Sequence, residues 1–295
     1  MEHPDSLIAT INAKHISSSA VALVLLAAVL HASWNAMLRG GRDRLWSGCV
    51  MSLTSGVAGM IAACFVPLPN RASWLCILIS AVVHIVYHLL LVRMYQQGDL
   101  GHTYPVARGS SPLLIALGGL LLASERLLPA TSLGIVLVSS GILLLALGGE
   151  ADFKHISAAL ATGLSIAVYS VTDGLGVRMA GNAISYTAWM VIGYGLPMPL
   201  VFLLCRRNSG EKFWQGSPRE FGQAAVGGLL SLIGYGIVVW AMKHSPMGPV
   251  SALRETSVLF AVLLGCVFLR EAFTWQKAIS AALIVLGAVC LNWRG

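Results

Sequence analysis

In a chain of 295 residues, 57% hydrophobic and only 11% charged, a mean hydropathy of +0.78 leaves more apolar surface than a soluble fold can bury, since soluble domains carry about 25% charged residues. The composition excludes a soluble globular protein and predicts an all-α integral membrane protein. The net charge of +7 is not a nucleic-acid signature here, because the basic residues fall in short loops between apolar runs, where they set topology.

At about 20 apolar residues per helical crossing, ten transmembrane helices are predicted, at roughly 17–38, 46–68, 73–95, 103–124, 128–149, 155–180, 184–205, 222–243, 248–269 and 274–293. Only Lys14 precedes the first run as a cation, and the run continues through Trp34, so it reads as the first crossing rather than a leader. The longest connection, Arg206 to Phe221, is too short for a soluble domain. Function must therefore reside in the helices.

In chain order, the first span carries His31, Trp34 and Asn35 on one face, a polar and aromatic stripe in an otherwise lipid-compatible helix. The third carries His84, Tyr87 and His88. Two histidines at i, i+4 could hold a metal, but no third ligand accompanies them, and the six cysteines are scattered singly, so no metal site is expected. The fourth holds Arg108 and Ser111 and closes on Glu125; the sixth holds Tyr169, Thr172 and Asp173; the eighth holds Tyr235 and Trp240. The ninth holds Arg254, Glu255 and Ser257 and closes on Glu271.

These stretches repeat. A shift of 146 residues lays Arg108 on Arg254, Ser111 on Ser257, Gly119 on Gly265, Glu125 on Glu271 and Gly141 on Gly287; a shift of 138 lays Tyr169 on His31 and Asp173 on Asn35. The reading is two five-helix repeats, 1–150 and 151–295. Five is odd, so the second is inverted relative to the first, a plan used by secondary transporters with a site near the midplane.

Charged side chains inside a span normally face a cavity or a partner. Arg108 and Arg254, each about five residues or roughly 7.5 Å inside its span, are read as cavity cations. The alternative is that they snorkel to the interface. Glu125 and Glu271 read as interfacial anchors at helix ends. Glu255 is either a site residue or the structural partner of Arg254. Asp173 is a ligand or proton carrier, or the partner of Arg178 one turn away. His31, Trp34, Asn35, Tyr169 and Thr172 read as a cavity wall, or else as interhelical hydrogen-bonding groups.

The segments SWNAMLR, PLLIALGGLLLASERL and VLFAVLLGCVFLREAF, with the late glycines Gly141 and Gly287, resemble the EamA-like branch of the drug/metabolite transporter superfamily. The resemblance implies spans 1, 3, 4, 6, 8 and 9 around a central cavity, spans 5 and 10 at its flank, and a multi-pass protein of the cell membrane with cytoplasmic termini. Loop charges lean the other way: Lys14, Arg71, Arg126, Arg178, Lys243 and Arg294 on the terminal side face a larger set on the other, which includes Arg39, Arg42, Arg44, Arg206, Arg207 and Arg219.

The expected function is alternating-access export or exchange of a small anionic or zwitterionic metabolite such as an amino acid, organic acid or organophosphorus compound. The expected substrate-binding residues are Arg108, Arg254, His31, Trp34, Asn35, Tyr87, Ser111, Tyr169, Asp173, Tyr235 and Ser257, and the coupling candidates are Asp173 and Glu255. The alternatives are efflux of hydrophobic cations by Asp173 or Glu255 with Trp34, Tyr169, Tyr235 and Trp240 as aromatic walls, and a non-transporting scaffold or enzyme. No catalytic residue, cofactor or nucleic acid is expected. The expected partners are a small-molecule substrate and the bilayer, with a homodimer as one assembly open to the chain.

Overall fold

The computed structural model describes residues 16–97, 100–147, 153–207, 216–268 and 274–292. Its elements are α1 (Ser18–Gly40), α2 (Arg44–Ala63), α3 (Trp74–Gln97), α4 (Leu100–Leu122), α5 (Pro129–Leu144), α6 (Phe153–Met179), α7 (Ala183–Gly195), α8 (Met198–Cys205), α9 (Pro218–His244), α10 (Met247–Glu255), α11 (Ser257–Phe268) and α12 (Trp275–Leu291), with a short 3-10 turn at Arg71–Ser73. Seven helical stretches among the described residues are long and apolar enough to cross a membrane, and α5 and α12 are apolar but shorter. The chain is a multi-pass membrane protein.

Local chemistry sets the helix starts. Ser17, Asp43 and Asn182 accept backbone N–H bonds from the first turns of α1, α2 and α7, and Ser217 with Glu220 forms a reciprocal capping box on α9. Pro129 and Pro218 stand where a missing N–H is harmless. Pro105 and Pro112 both lie inside α4, which continues through them.

Two predicted spans are not single helices. The stretch 184–205 divides into α7 and α8 at Leu196 and Pro197, because proline can neither donate to nor pack against the preceding turn. The stretch 248–269 divides at Thr256, whose N–H bonds the Leu253 carbonyl at 3.2 Å and whose Oγ1 bonds the same carbonyl at 2.6 Å, tightening the last turn of α10.

The polarity of the molecule is inverted relative to a soluble protein. Leu26, Phe65, Leu122 and Trp275 point outward, while His31, Asn35, His84, Arg108, Asp173, Arg254 and Glu255 are buried. That distribution suits a lipid surround and a polar interior.

The most extensive packing joins α5 with α12, α4 with α6, α1 with α9, α3 with α6, and α2 with α7. At the α5–α12 crossing a Cβ on Gly287 would stand 2.8 Å from the Gly134 carbonyl and 2.7 Å from Val138, so glycine permits the backbones to touch. Gly141 lies on the same seam, its carbonyl accepting from Ser280 Oγ at 2.5 Å. This contact accounts for the repeated late glycines.

Candidate functional site

Arg108, Arg254 and Glu255 meet in the interior, 2%, 2% and 0% exposed. Burial rules out the snorkelling arrangement for both arginines. Glu255 Oε1 accepts from Arg254 Nη2 at 2.8 Å and Nε at 3.2 Å, and from Arg108 Nη1 at 3.4 Å. Its Oε2 lies 3.2 Å from Arg108 Nε. Arg108 also donates to the Tyr104 hydroxyl and lies over that ring, 5.5 Å from its centroid. Two guanidinium groups thus share one carboxylate, leaving one positive charge without a counter-ion inside the cluster.

Arg254 forms part of the wall of a small central cavity, about 30 Å³, whose lining includes His31, Trp34, His84, Tyr87, His88, Tyr169, Tyr194 and Tyr235. That volume admits a water or two. The rings pack on one another: His84 stacks on Tyr194 at 4.8 Å and lies 4.1 Å from Tyr169, and Tyr169 meets Tyr87 at 5.4 Å and Tyr235 at 5.7 Å. Of the residues expected to bind substrate, His31, Trp34, Tyr87, Tyr169, Tyr235 and Arg254 line this cavity, and Arg108 stands behind Glu255.

The others are elsewhere. Asn35 donates to the His31 carbonyl and accepts from the Tyr95 hydroxyl at 2.9 Å, bracing α1 against α3. Ser111 donates to the carbonyl of Arg108 on its own helix. Ser257 follows the break at Thr256, and its hydroxyl is buried without a hydrogen-bond partner. Thr172 turns its hydroxyl to the Val168 carbonyl at an exposed position, so it does not join the wall. Trp240 is 36% exposed and packs on His244. Both belong to the outer face.

Asp173 is fully buried, and its partners are not Arg178. Tyr186 donates to one carboxylate oxygen at 2.9 Å and Tyr235 to the other at 2.6 Å. Arg178 instead pairs with Glu125 at 2.5 Å and donates to the Met242 and Ser245 carbonyls, at 3.1 Å each. This corrects two expectations together, since Glu125 is 2% exposed and is no interfacial anchor.

Its carboxylate also accepts the Met247 N–H at 3.0 and 3.1 Å, capping the positive end of α10. Ser124 takes a left-handed backbone (φ 52°), which folds Glu125 back over α4. There its Oε2 occupies the space that a Cβ on Gly119 would need, 2.5 Å away. Glu271 and Arg270, the counterparts expected in the second half, lie outside the described residues.

Residues 153–293 match the model of the EamA-like transporter family. Over this stretch, a little under half of its length, the chain is similar to the EamA-like transporter family. Over 78 residues, 26% of this chain and 26% of its relative, it is 31% identical to a protein of Streptantibioticus cattleyicolor named "Probable terminal-alkyne amino-acid exporter". The match spans about a quarter of that relative's length. A solved crystal structure aligns with a TM-score of 0.74 and 21% sequence identity, covering 92% of this chain and 96% of that chain, a likeness of fold.

The two ends of α9 differ in their surroundings. At its start Glu220 faces Arg42 at 3.9 Å, and Arg206 pairs with Asp43 at 3.1 Å. Arg42, Asp43 and Glu220 line a larger cavity of about 470 Å³ together with Trp46, Met51 and Gln223. At its end, 24 residues or about 36 Å away, Glu125, Arg178 and the start of α10 close on one another. Arg44 donates to the Tyr95 carbonyl on the first side, and Lys243 to the Gly181 carbonyl on the second.

Tyr194, Tyr186 and the latch role of Glu125 escaped the sequence reading. Tyr194 sits on a span whose pattern is indistinguishable from lipid-facing helix. The Glu125 latch did leave a trace: glycine stands six residues before glutamate in both halves.

Proposed function

We propose that this transporter exports or exchanges small zwitterionic metabolites of the amino-acid type by alternating access, with Arg254 holding the substrate carboxylate. The observation that carries this reading is the Arg108–Glu255–Arg254 cluster: one uncompensated guanidinium charge, buried, at the wall of a cavity lined by aromatic rings. Charge-assisted bidentate bonds suit a carboxylate, and the ring faces suit an ammonium or an unsaturated side chain. The relative named as an amino-acid exporter supports the same class.

Cation efflux is less well supported. Both oxygens of Asp173 are engaged by tyrosine hydroxyls, and the charged group on the cavity wall is Arg254.

The transport unit is ten crossings in two inverted five-helix repeats, 1–150 and 151–295. The exchange of packing partners supports it: α3 on α6 answers α9 on α1, and α4 on α6 answers α10 and α11 on α1. A break at the bound charge also fits, since discontinuous helices form midplane sites in such carriers. The termini are cytoplasmic, in the cell membrane. The opposing loop charges are partly taken up within the protein, by Asp43, Glu220 and the Tyr95 carbonyl.

Counterflow of radiolabelled amino acids in proteoliposomes tests the function. Accumulation by wild type and none by Arg254→Gln is expected; resistance to lipophilic cations without amino-acid counterflow would replace it with the cation reading. A C-terminal phosphatase fusion active outside the cell would reverse the orientation.

A further inference from the structure

Glu255 breaks the repeat, since Gly109 holds the equivalent position next to Arg108. On a continuous helix, adjacent residues point about 100° apart and do not face each other. Arg254 and Glu255 nevertheless make two hydrogen bonds, because α10 ends at Glu255. The carboxylate therefore sits at the tightened turn that joins α10 to α11, where Thr256 bonds back to the Leu253 carbonyl.

The hydrogen bonds of the cluster are also incomplete. Arg108 Nη2 and His31 Nε2 are buried without any hydrogen-bond partner, and Glu255 Oε2, although 3.2 Å from Arg108 Nε, has no aligned donor. Two guanidinium forks could satisfy two carboxylates bidentately. Only one carboxylate is present.

We infer that Glu255 is an internal stand-in for the substrate carboxylate. It occupies the Nε and Nη2 edge of Arg254 while the cavity is empty, and a bound carboxylate displaces it onto Arg108, whose Nη2 is vacant to receive it. The loaded cluster then holds two guanidinium groups and two carboxylates, neutral and fully paired. The empty cluster keeps Arg254 from standing as a bare buried charge while the carrier returns. This deepens the proposed function and rests on its assignment of Arg254 as the carboxylate ligand.

Propionate, small enough to isolate carboxylate recognition, and its neutral isostere propionamide are the probes. They are titrated against the full-length protein in detergent, with binding read by calorimetry and by the rise in unfolding temperature. Wild type binds propionate and not propionamide. Glu255→Gln removes the rival, so propionate binds about tenfold more tightly or better. The double variant Arg108→Gln with Glu255→Gln keeps the cluster's net charge and covers the case in which the single variant fails to fold; it also binds more tightly than wild type.

Arg254→Gln loses propionate binding. If Arg254→Gln binds as wild type does, or if no form responds to propionate, the carboxylate assignment falls and the stand-in falls with it. If Arg254→Gln loses binding while the Glu255 variants bind equally or more weakly than wild type, Glu255 merely positions Arg254. In that case the stand-in is overturned and the proposed function survives.

Discussion

Arg108 rides on a helix that runs unbroken from Leu100 to Leu122, with Gly109 beside it; Arg254 stands one residue before the end of α10, with Glu255 beside it. The two arginines are equivalent by sequence register, yet only Arg254 lines the cavity. The difference lies in backbone and space. At Gly109 a Cβ would come within 2.7 Å of Leu143 and 3.1 Å of the Ser139 carbonyl, so α5 leaves no room for a side chain there. In the second half the equivalent position ends α10 at the tightened turn of Thr256, and a buried carboxylate fills it. In the proposed function, that difference makes one arginine a scaffold and the other a ligand.

Removing the carboxylate tests this contrast most severely. Glu255→Ala leaves two guanidinium groups buried together, and should cost about 3–5 kcal/mol of stability, seen as a large fall in unfolding temperature in detergent. The Glu125 latch is a second buried pair away from the cavity. Glu125→Gln should cost about 3 kcal/mol, whereas the double replacement of Glu125 and Arg178 by methionine should recover much of that loss; a double variant as unstable as the single one would show that the carbonyl bonds of Arg178, not the ion pair, hold the end closed.

Gly109→Ala should destabilise by about 1–3 kcal/mol through crowding against α5. If it is neutral, space does not explain the asymmetry of the halves. Tyr186→Phe removes one of the tyrosine donors to Asp173 and should cost about 1–2 kcal/mol in thermal unfolding, with counterflow retained, because Tyr186 is away from the cavity lining. Thr172→Val, on the outer face, should stay within about 0.5 kcal/mol of wild type; a large loss of transport there would restore Thr172 to the wall.

Much of this was legible in the chain. Apolar runs of membrane-spanning length set the helical class, and the register of Arg108 with Arg254 marked the two segments that meet at the centre. The pairings were not legible. Sequence distance favoured Asp173 with Arg178, but α6 presents them to different neighbours: Asp173 to tyrosines of α7 and α9, Arg178 to Glu125 and the end of α9. Glu125 reads as an interfacial anchor until Ser124 turns it back onto Gly119. Nor does an apolar pattern distinguish Tyr194, which faces the cavity, from Trp240, which faces outward.

The central claim is that Arg254, and not its twin, holds the substrate carboxylate. Counterflow of a panel of radiolabelled amino acids into proteoliposomes should be compared for wild type, Arg254→Gln and Arg108→Gln, each verified as folded by its unfolding transition. The account predicts that Arg254→Gln abolishes accumulation while Arg108→Gln, which leaves the Arg254–Glu255 pair intact, keeps measurable counterflow with weakened apparent affinity. Wild-type counterflow in Arg254→Gln would contradict it.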